Sequence, residues 1–229
     1  MSPRDVAAVE DSRPGNSAGT VASLLSVIIP VTPARIGEVG PDIEVIVVVD
    51  GPWDGDPLDG ADATLVLDRN VGAGTARVAG ALHASCDLLF FLDSDDQMMP
   101  GAAVRARGDL AEYEAVLYRL EGVEPEYPAG VLAPGTVADL WLAHGITSHA
   151  AAVTVRRDVF FAAGAFPGLP RMEDWLFWAA VNERHPVLVS DFVARTYARH
   201  PGQLTEAPWP EWVKNLAAVW IPSLVAQRQ

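Results

Sequence analysis

Three aspartates stand directly after an apolar run near the middle of the chain. The run is Phe90–Leu92, and Asp93, Asp95 and Asp96 follow it. Such a run is typical of a buried strand, and a parallel strand that ends in carboxylates carries them to the carboxyl edge of its sheet, where open α/β proteins bind ligands. Oxygen ligands of this kind suit Mg2+ or Mn2+. The stretch therefore indicates a site for a metal ion and a diphosphate, although an isolated acidic stretch is more often a solvated turn or a helix N-cap.

A second acidic pair, Glu173 and Asp174, stands before the aromatic stretch Trp175–Trp178. A carboxylate with an ordinary pKa can remove a proton from a hydroxyl group while the new bond to that oxygen forms, so the pair could supply a general base. By residue type alone, two acids at the start of a helix are usually explained by their favourable interaction with the helix dipole. The types of these two residues alone do not decide between a general base and an interaction with the helix dipole.

Four short apolar runs must position the first acidic group. They are Leu24–Val31, Ile43–Val49, Thr64–Leu67 and Asp87–Leu92. The first two are rich in β-branched residues and apolar on both faces, which is typical of central parallel strands. Both lead into turn residues, so we expect their carboxyl ends to open into loops where a ligand would lie.

A glycine-containing turn and a helix separate the third run from the fourth. Thr75–Ser85 is rich in alanine and carries apolar residues at helical spacing, and Gly72 and Gly74 precede it. These glycines permit a close approach of the backbone to a ligand, or they serve only the geometry of the turn. Strands and a helix in this order predict an α/β half-domain suited to a nucleotide.

The composition limits the partners of the chain. Its 229 residues, half of them apolar, suffice for one compact domain. Lys and Arg total 16 against 30 Asp and Glu, and the resulting formal charge of −14 argues against nucleic acid or an anionic membrane as a partner. The sequence shows neither an apolar run of membrane-spanning length nor a signal-peptide pattern, so we expect a cytoplasmic location. Cys86 is the only cysteine, which excludes an internal disulfide.

In the order of these features the chain resembles the family 2 glycosyltransferases. Seven segments carry the resemblance: Ser26–Val31, Val47–Gly55, Arg69–Ser85, Leu88–Gly101, Arg156–Gly168, Met172–Trp178 and Tyr197–Thr205. The resemblance implies an α/β fold, with a single GT-A (Rossmann-like) domain built on a central, mostly parallel sheet flanked by helices. We expect a mobile leader over 1–22, a nucleotide-sugar half over 23–105, an acceptor half over 106–205 and a helical segment over 206–229.

The resemblance also implies which residues act. Asp174 would be the general base that removes a proton from the acceptor hydroxyl, and Glu173 would support or orient it. Asp95 and His200 would bind a Mn2+ or Mg2+ ion. A histidine in a loop is otherwise more often a surface residue than a ligand, so His200 keeps that alternative.

Nucleotide-sugar binding is implied for a further group of residues near the strand ends. These are Pro30, Asp50, Gly72, Arg77, Asp93 and Ser94. Asp50 would accept a hydrogen bond from the base or ribose, although an aspartate before glycine commonly caps a turn. Arg77 would face the nucleotide, with a surface salt bridge as its alternative role.

The implied function is that of a metal-dependent, inverting glycosyltransferase of the hexosyltransferase class. It would move a sugar from a UDP-, dTDP- or GDP-sugar to the hydroxyl group of a small molecule, a peptide or a glycan. Apolar residues at helical spacing in Trp209–Gln229 predict an amphipathic helix, either docked on its own domain or forming a homodimer interface. The alternatives are a degenerate, non-catalytic nucleotide-sugar-binding protein and a sugar-phosphate nucleotidyltransferase, although Val31–Arg35 does not supply the glycine-rich, basic loop of the latter.

Overall fold

The computed structural model describes residues 6–11, 25–31, 43–56, 58–123, 127–144, 152–169, 171–198 and 211–228. The strands in these ranges are β1 (Val6–Asp11), β2 (Leu25–Val31), β3 (Ile43–Val49), β4 (Ala63–Leu67), β5 (Leu88–Phe91), β6 (Ala115–Leu120), β7 (Gly130–Leu132), β8 (Ala152–Arg156) and β9 (Val187–Arg195). The helices are α1 (Ala73–His83), α2 (Ala102–Glu112), α3 (Thr136–His144), α4 (Arg157–Ala162), α5 (Glu173–Asn182) and α6 (Glu211–Ala226). None of the described helices has the length and hydropathy that crossing a bilayer requires.

All these strands belong to one sheet, in the order β1-β4-β3-β2-β5-β8-β6-β9-β7. Strands β4, β3, β2 and β5 are parallel neighbours. Strand β8 is antiparallel to both β5 and β6, and β6 is parallel to β9, so β9 runs in the same direction as β5. The carboxyl ends of β2, β3, β4, β5 and β9 therefore meet at one edge. The predicted α/β fold is confirmed, and the uninterrupted parallel block lies in the half predicted to bind the nucleotide.

Side chains of the central strands alternate between the two faces of the sheet. Ile28 and Val48 pack against α1, α4 and α5 on one face, whereas Val27 and Val47 pack against α2 on the other. All four are fully buried. Burial of each such side chain contributes about 1.5–3 kcal/mol, which explains why these strands are apolar at every position.

The first strand differs from the prediction for this part of the chain. Val6–Asp11 pairs in an antiparallel manner with β4, so these residues form an edge strand and not a mobile leader. The prediction relied on the lack of apolar periodicity in residues 1–22. Pairing at the edge of a sheet depends instead on the backbone N–H and C=O groups that β4 offers, and the side-chain pattern does not report them.

The C-terminal helix docks on its own domain. In α6, Ile221 is fully buried in a cluster with Val137 of α3 and Trp175 of α5. Just after the helix, Arg228 donates from Nε to Glu183 Oε2 at 2.6 Å and from Nη1 to Asp139 Oδ1 at 2.7 Å. These contacts tie α6 to α3 and to the end of α5.

Candidate active site

The carboxylate of Asp93 lies between two arginines at the carboxyl edge of the sheet. Arg77 of α1 donates from Nη2 to Asp93 Oδ1, and Arg195 at the end of β9 donates from Nη1 to Oδ2 at 2.6 Å. Burial alone would raise the pKa of Asp93, but Arg195 and Arg77 outweigh it and hold that pKa well below its usual range. Asp93 is therefore ionised and fixed from both sides.

Arg77 also reaches the second acidic motif. Its Nη1 donates to Glu173 Oε1 at 2.9 Å, and both side chains are only 12% exposed. Burial acts to lower the pKa of Arg77, but the carboxylates of Asp93 and Glu173 raise it above its ordinary value. Arg77 therefore does form a salt bridge, but with Glu173 in a buried position and not at the surface. It joins α1 and the loop after β5 to the start of α5.

Asp174 follows Glu173 in the first turn of α5 and is half-buried. Its Oδ1 accepts a hydrogen bond from the backbone N–H of Trp175 at 2.7 Å. Burial and then the charge of Glu173 raise the pKa of Asp174 to about 7, against the opposing effect of Arg77. A carboxylate whose pKa is raised in this way is a stronger base than an ordinary aspartate.

The third aspartate after β5 has structural contacts. Asp96 Oδ2 lies 2.9 Å from Arg195 Nη1 as an ion pair, and Asp96 Oδ1 accepts from the backbone N–H of Ala198 at 2.9 Å. The side chain is buried, and this burial raises its pKa to about 6 despite Arg195. Asp96 thus connects the loop after β5 to the segment that follows β9.

Asp50 lies at the end of β3 and caps the entrance to α1. Its Oδ1 accepts from the backbone N–H of Val71 at 2.7 Å, and its Oδ2 accepts from that of Gly72 at 2.9 Å. These contacts match the turn-capping alternative. Gly72 has a φ of +88°, so the turn itself requires glycine. Pro30 lies within β2, paired with Val48 of β3, near the same edge.

The remaining predicted residues lie in the loop after β5 or outside the described residues. Asp95 is exposed and Ser94 is half-buried. His200 lies outside the described residues. Within the described ranges, no three His, Cys, Asp or Glu side chains are grouped so as to hold a metal ion.

Arg195 is the residue of this site that the sequence analysis missed. It is only 6% exposed and contacts two of the three aspartates of the motif. The available signal was weak, because it consists of one arginine at the end of the mostly apolar stretch Val187–Ala194, shortly before Tyr197.

Gly74, in the first turn of α1, lies against Glu173. A Cβ atom at position 74 would lie 2.7 Å from Glu173 Cγ and 3.2 Å from the carbonyl oxygen of Pro167. We therefore expect Gly74→Ala to lower the free energy of unfolding in urea by about 1–3 kcal/mol, because Glu173 must move away from Arg77.

Gly108→Ala is the matched control. Position 108 lies in α2, and a methyl group added there meets nothing within 4 Å. The free energy of unfolding of this variant should rise by about 1 kcal/mol, since alanine is a better helix former than glycine. A gain for Gly74→Ala as well would contradict the close contact between Gly74 and Glu173.

Comparison with known proteins shows which family and which solved structures this chain is similar to. The model of glycosyl transferase family 2 matches residues 20–126. No curated protein matches the chain. Among solved structures, S. aureus TarS 1–349 in complex with UDP-GlcNAc is 19% identical with a TM-score of 0.62, covering 86% of this chain and 66% of TarS 1–349. S. aureus TarS is 17% identical with a TM-score of 0.58, and the match covers 88% of this chain and 43% of TarS.

A second protein shares the fold. The mannosyltransferase PcManGT from Pyrobaculum calidifontis, in complex with GDP-Man and Mn2+, is 14% identical with a TM-score of 0.58, covering 90% of this chain and 74% of its own. At these identities the likeness shows the fold, and the chain spans less than half the length of TarS. Residues 20–126 are therefore similar to glycosyl transferase family 2, and the chain has the GT-A (Rossmann-like) fold of these structures.

Proposed function

We propose that this protein transfers a sugar from a nucleoside-diphosphate-sugar to an acceptor hydroxyl group, with the help of a divalent cation and with inversion at the anomeric carbon. The observation that carries the proposal is the contact of Arg77 with both Asp93 and Glu173. It brings the acidic motif after β5 next to the acidic pair of α5. One motif is suited to a donor diphosphate and the other to the acceptor.

The charges of the site fit a cation that arrives with the diphosphate. Two arginines, Arg77 and Arg195, face the carboxylates of Asp93, Asp96 and Glu173, and Asp95 and Asp174 add further acidic groups. The arginines are therefore already neutralised, and an incoming diphosphate would be repelled unless a cation accompanied it. Mg2+ and similar ions are commonly held by one or two carboxylates together with substrate phosphates.

Asp95 is the exposed carboxylate of the motif and the residue we assign to this ion, with His200 as a second ligand predicted from the sequence. When bound, the ion would stabilise the negative charge that develops on the leaving diphosphate. The amino end of α1 lies at the same edge and has no acidic residue in its first turn, but the carboxylate of Asp50 binds the N–H groups of Val71 and Gly72 and offsets part of its positive potential.

Asp174 is the group we assign to the acceptor. Its raised pKa allows it to take up the proton of the acceptor hydroxyl as that oxygen attacks the sugar. Arg77 fixes Glu173, and burial together with the charge of Glu173 keeps the pKa of Asp174 high. A single displacement by an acceptor activated in this way inverts the anomeric carbon.

The ligands of proteins with the same fold support an order in which to test the three donor classes. TarS is in complex with UDP-GlcNAc and PcManGT with GDP-Man, so UDP- and GDP-sugars are the first donors to test, followed by dTDP-sugars. The acceptor we propose is a small molecule, a peptide or a glycan end.

Thermal unfolding with each donor, with and without Mn2+, tests the proposal. A donor at 100 times its dissociation constant should add about 2.7 kcal/mol to the stability of the folded protein, and chelation with EDTA should remove this gain. Release of the nucleoside diphosphate when acceptor is added separates a transferase from a binding protein.

Asp95→Asn should lose the metal-dependent gain in stability. Asp68→Asn should keep it, because Asp68 is an exposed aspartate after β4 that lies 3.8 Å from Arg69 and has no predicted role in the site. Equal stabilisation by the donor after exhaustive chelation would contradict the role of the cation, and no stabilisation by any donor would contradict donor binding.

A further inference from the structure

Arg195 is the last residue of β9, and its charged side chain is almost fully buried. Burial of a guanidinium group is costly unless carboxylates compensate it. Its two partners are Asp93, at 2.6 Å, and Asp96, at 2.9 Å. They stand on either side of Asp95, so Arg195 holds both ends of the short segment that we assign to the cation.

The backbone around Arg195 reinforces this contact. Met98 and Arg195 form an antiparallel bridge, and the N–H of Met99 donates to the carbonyl oxygen of Ala194 at 2.9 Å. The N–H of Thr196 donates to the carbonyl oxygen of Gln97 at 2.9 Å. The loop that carries the aspartates is therefore paired directly with the end of β9.

Asp96 extends the arrangement beyond β9. One of its oxygens pairs with Arg195 and the other accepts from the backbone N–H of Ala198. Arg195 thus orients the carboxylate that binds the backbone of Ala198.

Resting on the proposed function, we propose that Arg195 is a positioning residue that holds Asp93 and Asp96 and thereby sets the affinity of the site for a cation and a nucleoside diphosphate. It acts through the two aspartates, without itself binding the cation. Residues that orient ligands in this way typically contribute 10- to 100-fold to metal affinity or activity.

Arg195→Gln is the first test, with binding of UDP, GDP and dTDP in the presence of Mn2+ measured by calorimetry. We expect the affinity for the nucleotide that the native protein binds to fall by about 10-fold or more. The Mn2+ concentration that gives half-maximal binding should rise with it. Arg195→Lys should recover most of the affinity, because one nitrogen, Nη1, makes both contacts and an ammonium group can replace it.

Arg105→Gln is the matched control. Arg105 also pairs with an aspartate, Asp109, at 2.7 Å, but on the outside of α2. Its loss should leave the affinity for Mn2+ and nucleotide unchanged. If Arg195→Gln does not fold, the double variant Arg195→Gln with Asp96→Asn removes one buried carboxylate together with the arginine, and the same loss of affinity is expected for it.

The outcomes separate the inference from the proposed function. The inference alone is overturned if the native protein binds a nucleotide with Mn2+ and the Arg195→Gln or double variant binds it equally well but melts at a lower temperature. Arg195 would then be a purely stabilising residue. A native protein that binds none of the three nucleotides with Mn2+ would overturn both.

Discussion

Asp174→Asn is expected to lower the turnover number for sugar transfer by about 1,000-fold, within the range that a general base contributes. Asparagine keeps the shape of the side chain and can still accept the hydrogen bond from Trp175, but it cannot take up a proton from the acceptor. Binding of the nucleotide and Mn2+ should be largely retained, since Asp174 is assigned to the acceptor and its hydrogen bond goes to the backbone of Trp175. Steady-state kinetics and calorimetry measure the two quantities.

Asp158→Asn is the control for this variant. Asp158 lies in the first turn of α4, and its Oδ1 accepts from the N–H of the next residue, Val159, at 2.9 Å, just as Asp174 accepts from Trp175. The control should retain full turnover. Retained turnover in Asp174→Asn would remove Asp174 from its role as base.

The raised pKa of Asp174 makes its effects depend on pH in two opposite directions. Only the ionised carboxylate is a base, so kcat/KM of the native protein should rise with pH through about 7 and then level off. The folded protein holds the proton of Asp174 more tightly than the unfolded chain does, because its pKa is raised from 3.8 to about 7. Its contribution to stability is therefore fully present below the unfolded pKa and is lost as the pH rises through the folded one.

The stability of Asp174→Asn checks this sign. The free energy of unfolding of the native protein, relative to that of the variant, should decrease between about pH 4 and pH 8. Urea titrations at several pH values give the difference. A difference that stays constant over this range would show that the pKa of Asp174 is not raised.

Arg77→Met is expected to lower the free energy of unfolding by about 3–5 kcal/mol, as is typical when one partner of a buried ion pair is removed. The substitution leaves Glu173 without its cation and leaves Asp93 with Arg195 alone. Urea unfolding measures the loss. Glu173→Gln added to Arg77→Met should recover part of it, because the uncompensated carboxylate is removed as well.

Arg69→Met is the corresponding control, because Arg69 is 66% exposed and lies 3.8 Å from its partner Asp68. Its effect on stability should stay within about 0.5 kcal/mol. A similar small loss for Arg77→Met would show that the pair with Glu173 is not a stabilising contact between the two motifs.

The strands of the half predicted to bind the nucleotide were the part of the fold that the sequence predicted best. The predicted bounds of β3 coincide with Ile43–Val49. The predicted bounds of β2 and β4 differ from the observed ones by one residue at one end, and those of β5 by one residue at each end. Buried parallel strands give continuous apolar runs, and the glycine, proline and aspartate residues after them mark where each strand ends. The start of α5 at Glu173 was indicated in the same way, by two acids before an aromatic stretch.

The ion pairs that assemble the site could not be predicted from the sequence pattern. Arg77 pairs with Glu173 over 96 positions of sequence, and Arg195 pairs with Asp93 over 102. No local periodicity encodes such a pair, because it exists only once the sheet order has brought the ends of β5 and β9 together. Hydrophobic patterns predict elements, whereas the pairing of charges at the sheet edge depends on topology.

The position of Arg77 has a consequence for how substrates enter. Its backbone lies in the half predicted to bind the nucleotide, and one of its partners, Glu173, lies in the predicted acceptor half. A hinge motion that opened the cleft between the halves would have to separate the charges of Arg77 and Glu173. Separating a poorly hydrated ion pair is unfavourable by several kcal/mol. We therefore expect the two halves to move as one rigid body, with admission of donor and acceptor governed by the loops above the sheet.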